Sequence, residues 1–126
     1  MFVYADENPA IVIGHPNVED TLTRDEVKQI FLGRKTRWND DSKIVFVIYR
    51  EKDVYDAFLK EYVNKTIFQY TNYWKKQVFT GKGRMPKSFK TCEEVMEFVS
   101  STEGAISFVL ANDVDTNLVN ILTIEE

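Results

Sequence analysis

Apolar positions follow two rhythms along this chain. Two short runs are apolar or nearly so at every position, Ala10–Gly14 (AIVIG) and Ile44–Tyr49 (IVFVIY). Neither alternates with polar residues, so each predicts a strand covered on both faces rather than one with a wet side. The second run lies between Lys43 and Arg50 and predicts a central strand with helices packed above and below it. His15-Pro16 closes the first run, because proline cannot donate to a strand ladder.

Between and after these runs the apolar spacing becomes helical. Thr23 with Glu26 three residues on is a capping box, Leu22 can staple to Val27, and Val27, Ile30 and Phe31 form an apolar face that Gly33 ends. Asp53 predicts the cap of a second helix, with Val54, Phe58, Leu59 and Tyr62 on one face. Asn64-Lys65 breaks it, and Thr66 or a neighbour opens an aromatic helix carrying Ile67, Phe68, Tyr70, Tyr73, Trp74, Val78 and Phe79, with Gly81 at its end. Thr91 with Glu94 is a second capping box, Val95, Met96, Phe98 and Val99 face inward, and Thr102-Glu103-Gly104 is the stop. Ala105–Leu110 predicts a strand and residues 111–116 a turn-rich loop. Leu118–Ile124, with partial alternation, predicts an edge strand. The order β-α-β-α-α-α-β-β predicts an α/β domain with a largely parallel sheet, its last two strands forming an antiparallel pair at one edge.

Bulk properties narrow this little. The 126 residues suit one domain, and 44% hydrophobic with 29% charged residues is ordinary for a globular protein. A net charge of −4 argues against nucleic acid or an anionic membrane surface as a partner of the chain as a whole, and leaves a local basic site open. No apolar run approaches the roughly 20 residues that span a bilayer. The single cysteine, Cys92, excludes an intrachain disulfide and is expected to be a half-buried small residue rather than a reactive thiol. Val3-Tyr4-Ala5 fits a signal-peptidase site but lacks a charged n-region and a full h-region. Residues 1–9 are expected to be either the tail of a truncated signal peptide or an ordinary disordered start, with the domain covering 10–126.

Catalytic constellations are missing. His15 is the single histidine, no Ser lies in G-x-S-x-G, and Gly81-Lys82-Gly83 lacks the Walker spacing. No cofactor and no metal set is indicated. What remains is an oxyanion argument. Arg50 follows the central strand, where ligands collect in open α/β sheets, and its fork suits phosphate or carboxylate. The helix expected to begin at Asp53 would add backbone N–H groups and a positive dipole end. Against this, Glu51, Asp53 and Asp56 crowd the same corner, so that Arg50 pairs either with an anion or with a local carboxylate. His15, also at a strand's carboxyl end, is expected at the same edge. Arg37 and Trp38 either line that crevice or pin the loop after the first helix.

Several segments resemble the periplasmic phosphate-binding proteins of ABC transporters. Leu22–Glu26 and Ile30–Trp38 are similar to the lobe-opening segment with its IF.GK.T.W signature, and Lys43–Arg50 to the strand ending in a ligand-binding arginine. Tyr73-Trp74 through Pro86 and Thr102–Val109 resemble the YW…F.GKG..P and TPGAIGYV segments of short, single-lobe members. The resemblance covers about residues 10–124. It implies a single lobe of a type II periplasmic-binding-protein fold: a mixed, mostly parallel sheet with helices on both faces. It also implies export and a non-enzymatic solute-binding role toward phosphate or a similar oxyanion. One departure stands out. Where such relatives carry Ser-Gly-Thr after the arginine, this chain has Glu51-Lys52-Asp53-Val54-Tyr55, so only Arg50 matches. A second reading therefore stays open: a protein-interaction or sensory module with a degraded anion site, facing a transporter, a receptor or a second copy of itself.

Overall fold

The computed structural model describes residues 9–126; the signal-peptidase site read at Val3-Tyr4-Ala5 lies outside them. The elements are β1 (Ala10–Gly14), β2 (Thr21–Thr23), α1 (Arg24–Phe31), β3 (Val45–Phe46), β4 (Ile48–Tyr49), α2 (Lys52–Phe58), α3 (Ile67–Phe79), β5 (Ser88–Phe89), α4 (Cys92–Ser101), β6 (Ala105–Leu110), β7 (Asn120–Ile121) and β8 (Thr123–Glu125). A π-helical stretch, Leu59–Val63, extends α2, and a 3-10 turn, Ala111–Asp113, follows β6.

The main sheet has the order β3-β6-β1-β7, and two-stranded pairs β2-β8 and β4-β5 flank it. Of the five pairings among the described residues three are parallel (β2–β8, β3–β6, β4–β5), which makes the sheet arrangement mixed as expected. β1, however, runs antiparallel to both its neighbours. The expected antiparallel pair of C-terminal strands does not form. The Leu118–Ile124 run is divided, so that β7 joins the far side of β1 and β8 pairs with β2.

The apolar run before Arg50 is also divided. β3 pairs with β6 and β4 with β5, with Val47 between them donating to Ile106 O at 3.1 Å. Ser107 fixes this crossing: it is fully buried and its Oγ donates to Val47 O at 2.8 Å. The continuous apolar pattern arises because the segment is enclosed by two sheets in succession.

Three capping boxes start helices, at Thr23–Glu26, Thr66–Gln69 and Thr91–Glu94. Gly33 (φ +76°) and Gly81 (φ +76°) take the left-handed conformation that ends α1 and α3. Asn64 does the same for the π-helical stretch (φ 61°), a conformation that asparagine tolerates better than most residues. The cap of α2 corrects the sequence reading. It is Glu51, not Asp53, whose Oε1 accepts from the Asp53 and Val54 N–H groups at 3.1 and 3.2 Å.

Five consecutive residues of β6, Ala105 to Val109, are buried, so both faces of the strand are covered. On one face Phe108 stacks on Phe58 of α2 with centroids 4.0 Å apart, and Phe31 of α1 meets both rings edge-on. α4 packs on β6 and β1 with Val95, Met96 and Val99 buried.

Candidate functional site

The carboxyl end of β4 delivers Arg50. Its backbone N–H donates to Phe89 O at 3.0 Å, the last rung of the β4–β5 pair, and the chain then turns at Glu51 into α2. The guanidinium is exposed and makes no ion pair or side-chain hydrogen bond among the described residues. The local carboxylates are engaged elsewhere: Glu51 caps α2, and Asp56 pairs with Lys60 at 3.1 Å.

Arg50 opens onto a hollow of about 230 Å³. Ile48, Trp74, Met85 and Pro86 supply apolar wall, and Tyr55, Thr71 and Ser88 bring hydroxyls that make no hydrogen bond to other described residues. Burial pushes the Tyr55 phenol up to about 12, so it remains a protonated donor at neutral pH. Tyr70, at the back, donates to Phe31 O at 2.5 Å, and burial raises its phenol far above the ordinary range. Trp74 is buried, and its Nε1–H has no hydrogen-bond partner among the described residues. The indole is clamped by two glycines. A Cβ on Gly33 would come within 2.6 Å of Trp74 Cη2, and one on Gly83 within 3.0 Å of Cζ3. The two glycine-bearing motifs in the sequence thus meet at one ring, which the sequence alone does not reveal.

The other candidates do not converge on this hollow. Asp53 opens onto a different depression of about 880 Å³, beside Glu51 and Glu61, where its surroundings are acidic. His15 is at the opposite end of the sheet, which corrects the expectation of a shared edge. Because β1 is antiparallel to β6, its carboxyl end meets the start of β6, and His15 N–H donates to Ala105 O at 2.9 Å. The His15 Nδ1 accepts from Asn17 N–H at 3.0 Å. Arg37 is at that far end too, exposed, with Nη1 donating to Asp41 O at 3.0 Å. Its neighbour Trp38 is buried and donates to Gly104 O at 3.1 Å, so the loop after α1 is pinned there rather than opened to a crevice.

A third hollow, about 750 Å³, runs along α4. Glu93, Glu97, Asp113 and Asp115 line it against one cation, Lys90, a balance that repels anions. Cys92 lies in it with its thiol pushed up to about 11 by burial and by Asp113 and Glu93, which makes it a poor nucleophile. No group of three or more His, Cys, Asp or Glu side chains among the described residues is arranged to hold a metal ion. No described helix is long and apolar enough to cross a membrane.

Several solved structures share this fold. A protein from Clostridium perfringens, described as a phosphate ABC transporter substrate-binding protein and solved with bound phosphate, is similar with a TM-score of 0.70 at 22% identity over 93% of this chain and 45% of its own. PstS from Borrelia burgdorferi is similar with a TM-score of 0.68 at 21% identity, over 93% of this chain and 47% of its own. An ABC-type phosphate transport receptor from Vibrio cholerae aligns with a TM-score of 0.62 at 15% identity, over 93% and 46%. The chain therefore spans about half the length of these proteins. No curated protein sequence matches it. The model of the PBP superfamily domain matches residues 7–123, nearly the whole chain, and the protein belongs to that family.

Proposed function

We propose that this chain is an exported, non-enzymatic binding module for phosphate or a similar oxyanion, with Arg50 as the ligand-contacting cation. The observation that carries the reading is a guanidinium at the carboxyl end of a strand, unpaired among the described residues and facing a hollow with three hydroxyls that make no hydrogen bond to them. Arg50 gives the fork, and Tyr55, Thr71 and Ser88 can donate to remaining anion oxygens. Similarity to phosphate-binding solved structures supports the choice of anion and a place beside an ABC transporter in the periplasm. Of the four residues singled out in the sequence, only Arg50 is carried into this proposal. Asp53 faces an acidic depression, and His15 and Arg37 lie at the far end of the sheet.

Titration calorimetry of phosphate into wild type and Arg50→Ala, with sulfate as competitor, tests the reading. Wild type binds, and Arg50→Ala loses the heat. Phosphate at about 100 times Kd adds roughly 2.7 kcal/mol of stability to wild type alone. Equal heats for the two proteins overturn the assignment.

One observation favours a second reading, a protein-interaction module with a degraded anion site. Glu51 occupies two N–H groups at the start of α2 that an anion would otherwise use. Absence of phosphate binding at millimolar concentration, together with concentration-dependent self-association, supports that reading instead.

A further inference from the structure

Charge is segregated along this chain. Residues 62–92 hold seven Lys and Arg and no Asp or Glu, while the rest holds nine cations against twenty anions. The cationic stretch comprises α3 and the loop after it. None of its cations joins an ion pair among the described residues. Lys65 and Lys87 lie over aromatic rings, which leaves Lys75, Lys76, Lys82, Arg84 and Lys90 facing water.

The same face carries exposed large apolar side chains. Phe68 is 74% exposed and Phe79 92%. Eleven residues separate them, three helical turns, so they project from one side of α3 roughly 16 Å apart. Lys75 is on that line between them, and Lys76 flanks it. Met85 (50% exposed) and Val78 (43%) are further exposed apolar side chains of the same cationic stretch. The loop is held against the helix: Lys82 N–H donates to Gln77 O at 2.8 Å, and Gly83 sits under Trp74. The face is therefore built in advance.

We propose that this face docks on an anionic lipid surface. Two phenylalanines near the two ends of one helix, with lysines between and beside them, match the interfacial region of a bilayer. Single rings enter at the acyl boundary there, and ammonium groups meet headgroup phosphates. The charge pattern supplies the complementarity and the orientation. The remainder of the protein is strongly acidic and is repelled, so only α3 and its loop can approach. Met85, in the loop after α3, is exposed and also lines the Arg50 hollow, so the hollow opens within the same cationic stretch. The inference does not depend on the anion reading of Arg50, and Arg50→Ala is expected to dock like wild type.

Co-sedimentation of the full chain with phosphatidylcholine vesicles, with and without phosphatidylglycerol, tests it. The protein sediments with the mixed vesicles at low ionic strength, is released as the Debye length falls below about 10 Å, and stays in solution with phosphatidylcholine alone. Phe68→Ser with Phe79→Ser, both at exposed positions, weakens binding by about tenfold or more while circular dichroism is unchanged. Lys75→Gln with Lys76→Gln weakens binding and flattens its salt dependence, whereas Lys35→Gln, outside the cationic stretch, leaves it as in wild type. Equal sedimentation with both vesicle types, or wild-type binding by the double serine variant, overturns the proposal. So does self-association in sedimentation equilibrium that the double serine variant abolishes when no vesicle binding occurs, since the face then belongs to a protein contact.

Discussion

Gly104 is the point where the far end of the sheet is tied together, and replacing it by alanine should be far costlier than its place in a turn suggests. Its carbonyl accepts from Trp38 Nε1 at 3.1 Å and from Val45 N–H at 3.0 Å. Its φ is +82°, and a Cβ would come within 2.3 Å of Lys43 O, a backbone atom that no side-chain rotation can move. Gly81 provides the comparison: its φ is +76°, but a Cβ there meets nothing within 4 Å. Both alanines incur about 1–2 kcal/mol for the left-handed backbone, offset by about 0.4–1 kcal/mol from a less flexible unfolded chain. Gly81→Ala should therefore lose about 1 kcal/mol. Gly104→Ala adds an overpacking term of about 1–3 kcal/mol, for a total of about 2–4 kcal/mol. With a urea slope of about 2 kcal/mol/M, the midpoints fall by about 0.5 M and about 1–2 M. Fluorescence of the buried Trp38 and Trp74 follows both transitions. Losses equal to within about 0.5 kcal/mol would show that the close approach to Lys43 carries no energy and would refute the reasoning.

Three further outcomes are expected. Ser107→Ala leaves the buried Val47 carbonyl without its 2.8 Å partner and should cost about 1–3 kcal/mol in the same urea assay. Thr66→Ala removes the capping box of α3 and should cost about 0.5–2 kcal/mol, with helical circular dichroism falling before the main transition if α3 frays first. Alkaline pH should destabilise the fold. Cys92 and Tyr55 titrate at about 11 and about 12 rather than 9.0 and 10.0, so the folded state holds protons that the unfolded chain releases. This stability is complete below about pH 9 and is lost as pH rises through 11 to 12, which urea midpoints measured at increasing pH will show; flat midpoints would contradict it.

The helices were largely legible because their ends carry local chemistry. Thr23–Glu26 and Thr91–Glu94 cap where their spacing says they should, and Gly33 and Gly81 stop where a residue with positive φ is required. The α2 cap is ambiguous in the sequence because two acids stand two residues apart and either can cap. The choice is made by the final β4–β5 hydrogen bond at Arg50, which forces the turn at Glu51. Strands β2 and β5, at three and two residues, are too short for any periodicity to register. The direction of β1 against β6 depends on a pairing across more than ninety residues, and nothing local encodes it, so His15 was expected at the wrong end. Of the candidate site, Arg50 was visible from its place after an apolar run. Its partners Thr71 and Ser88 were not, because hydroxyls on α3 and β5 reach the hollow only through tertiary packing.

The division of the Ile44–Tyr49 run has a consequence for how this chain can vary in length. One end is clasped at Thr36 and Gly104, and the other at Phe89. Between these clasps every residue is committed to one of two ladders or to the Val47 crossing. An inserted or deleted residue cannot be absorbed as a bulge at one ladder without turning the other through half a pleat, which would rotate Arg50 away from its hollow. Natural length variation should therefore fall in the exposed turn between β6 and β7 and spare the eight residues from Lys43 to Arg50.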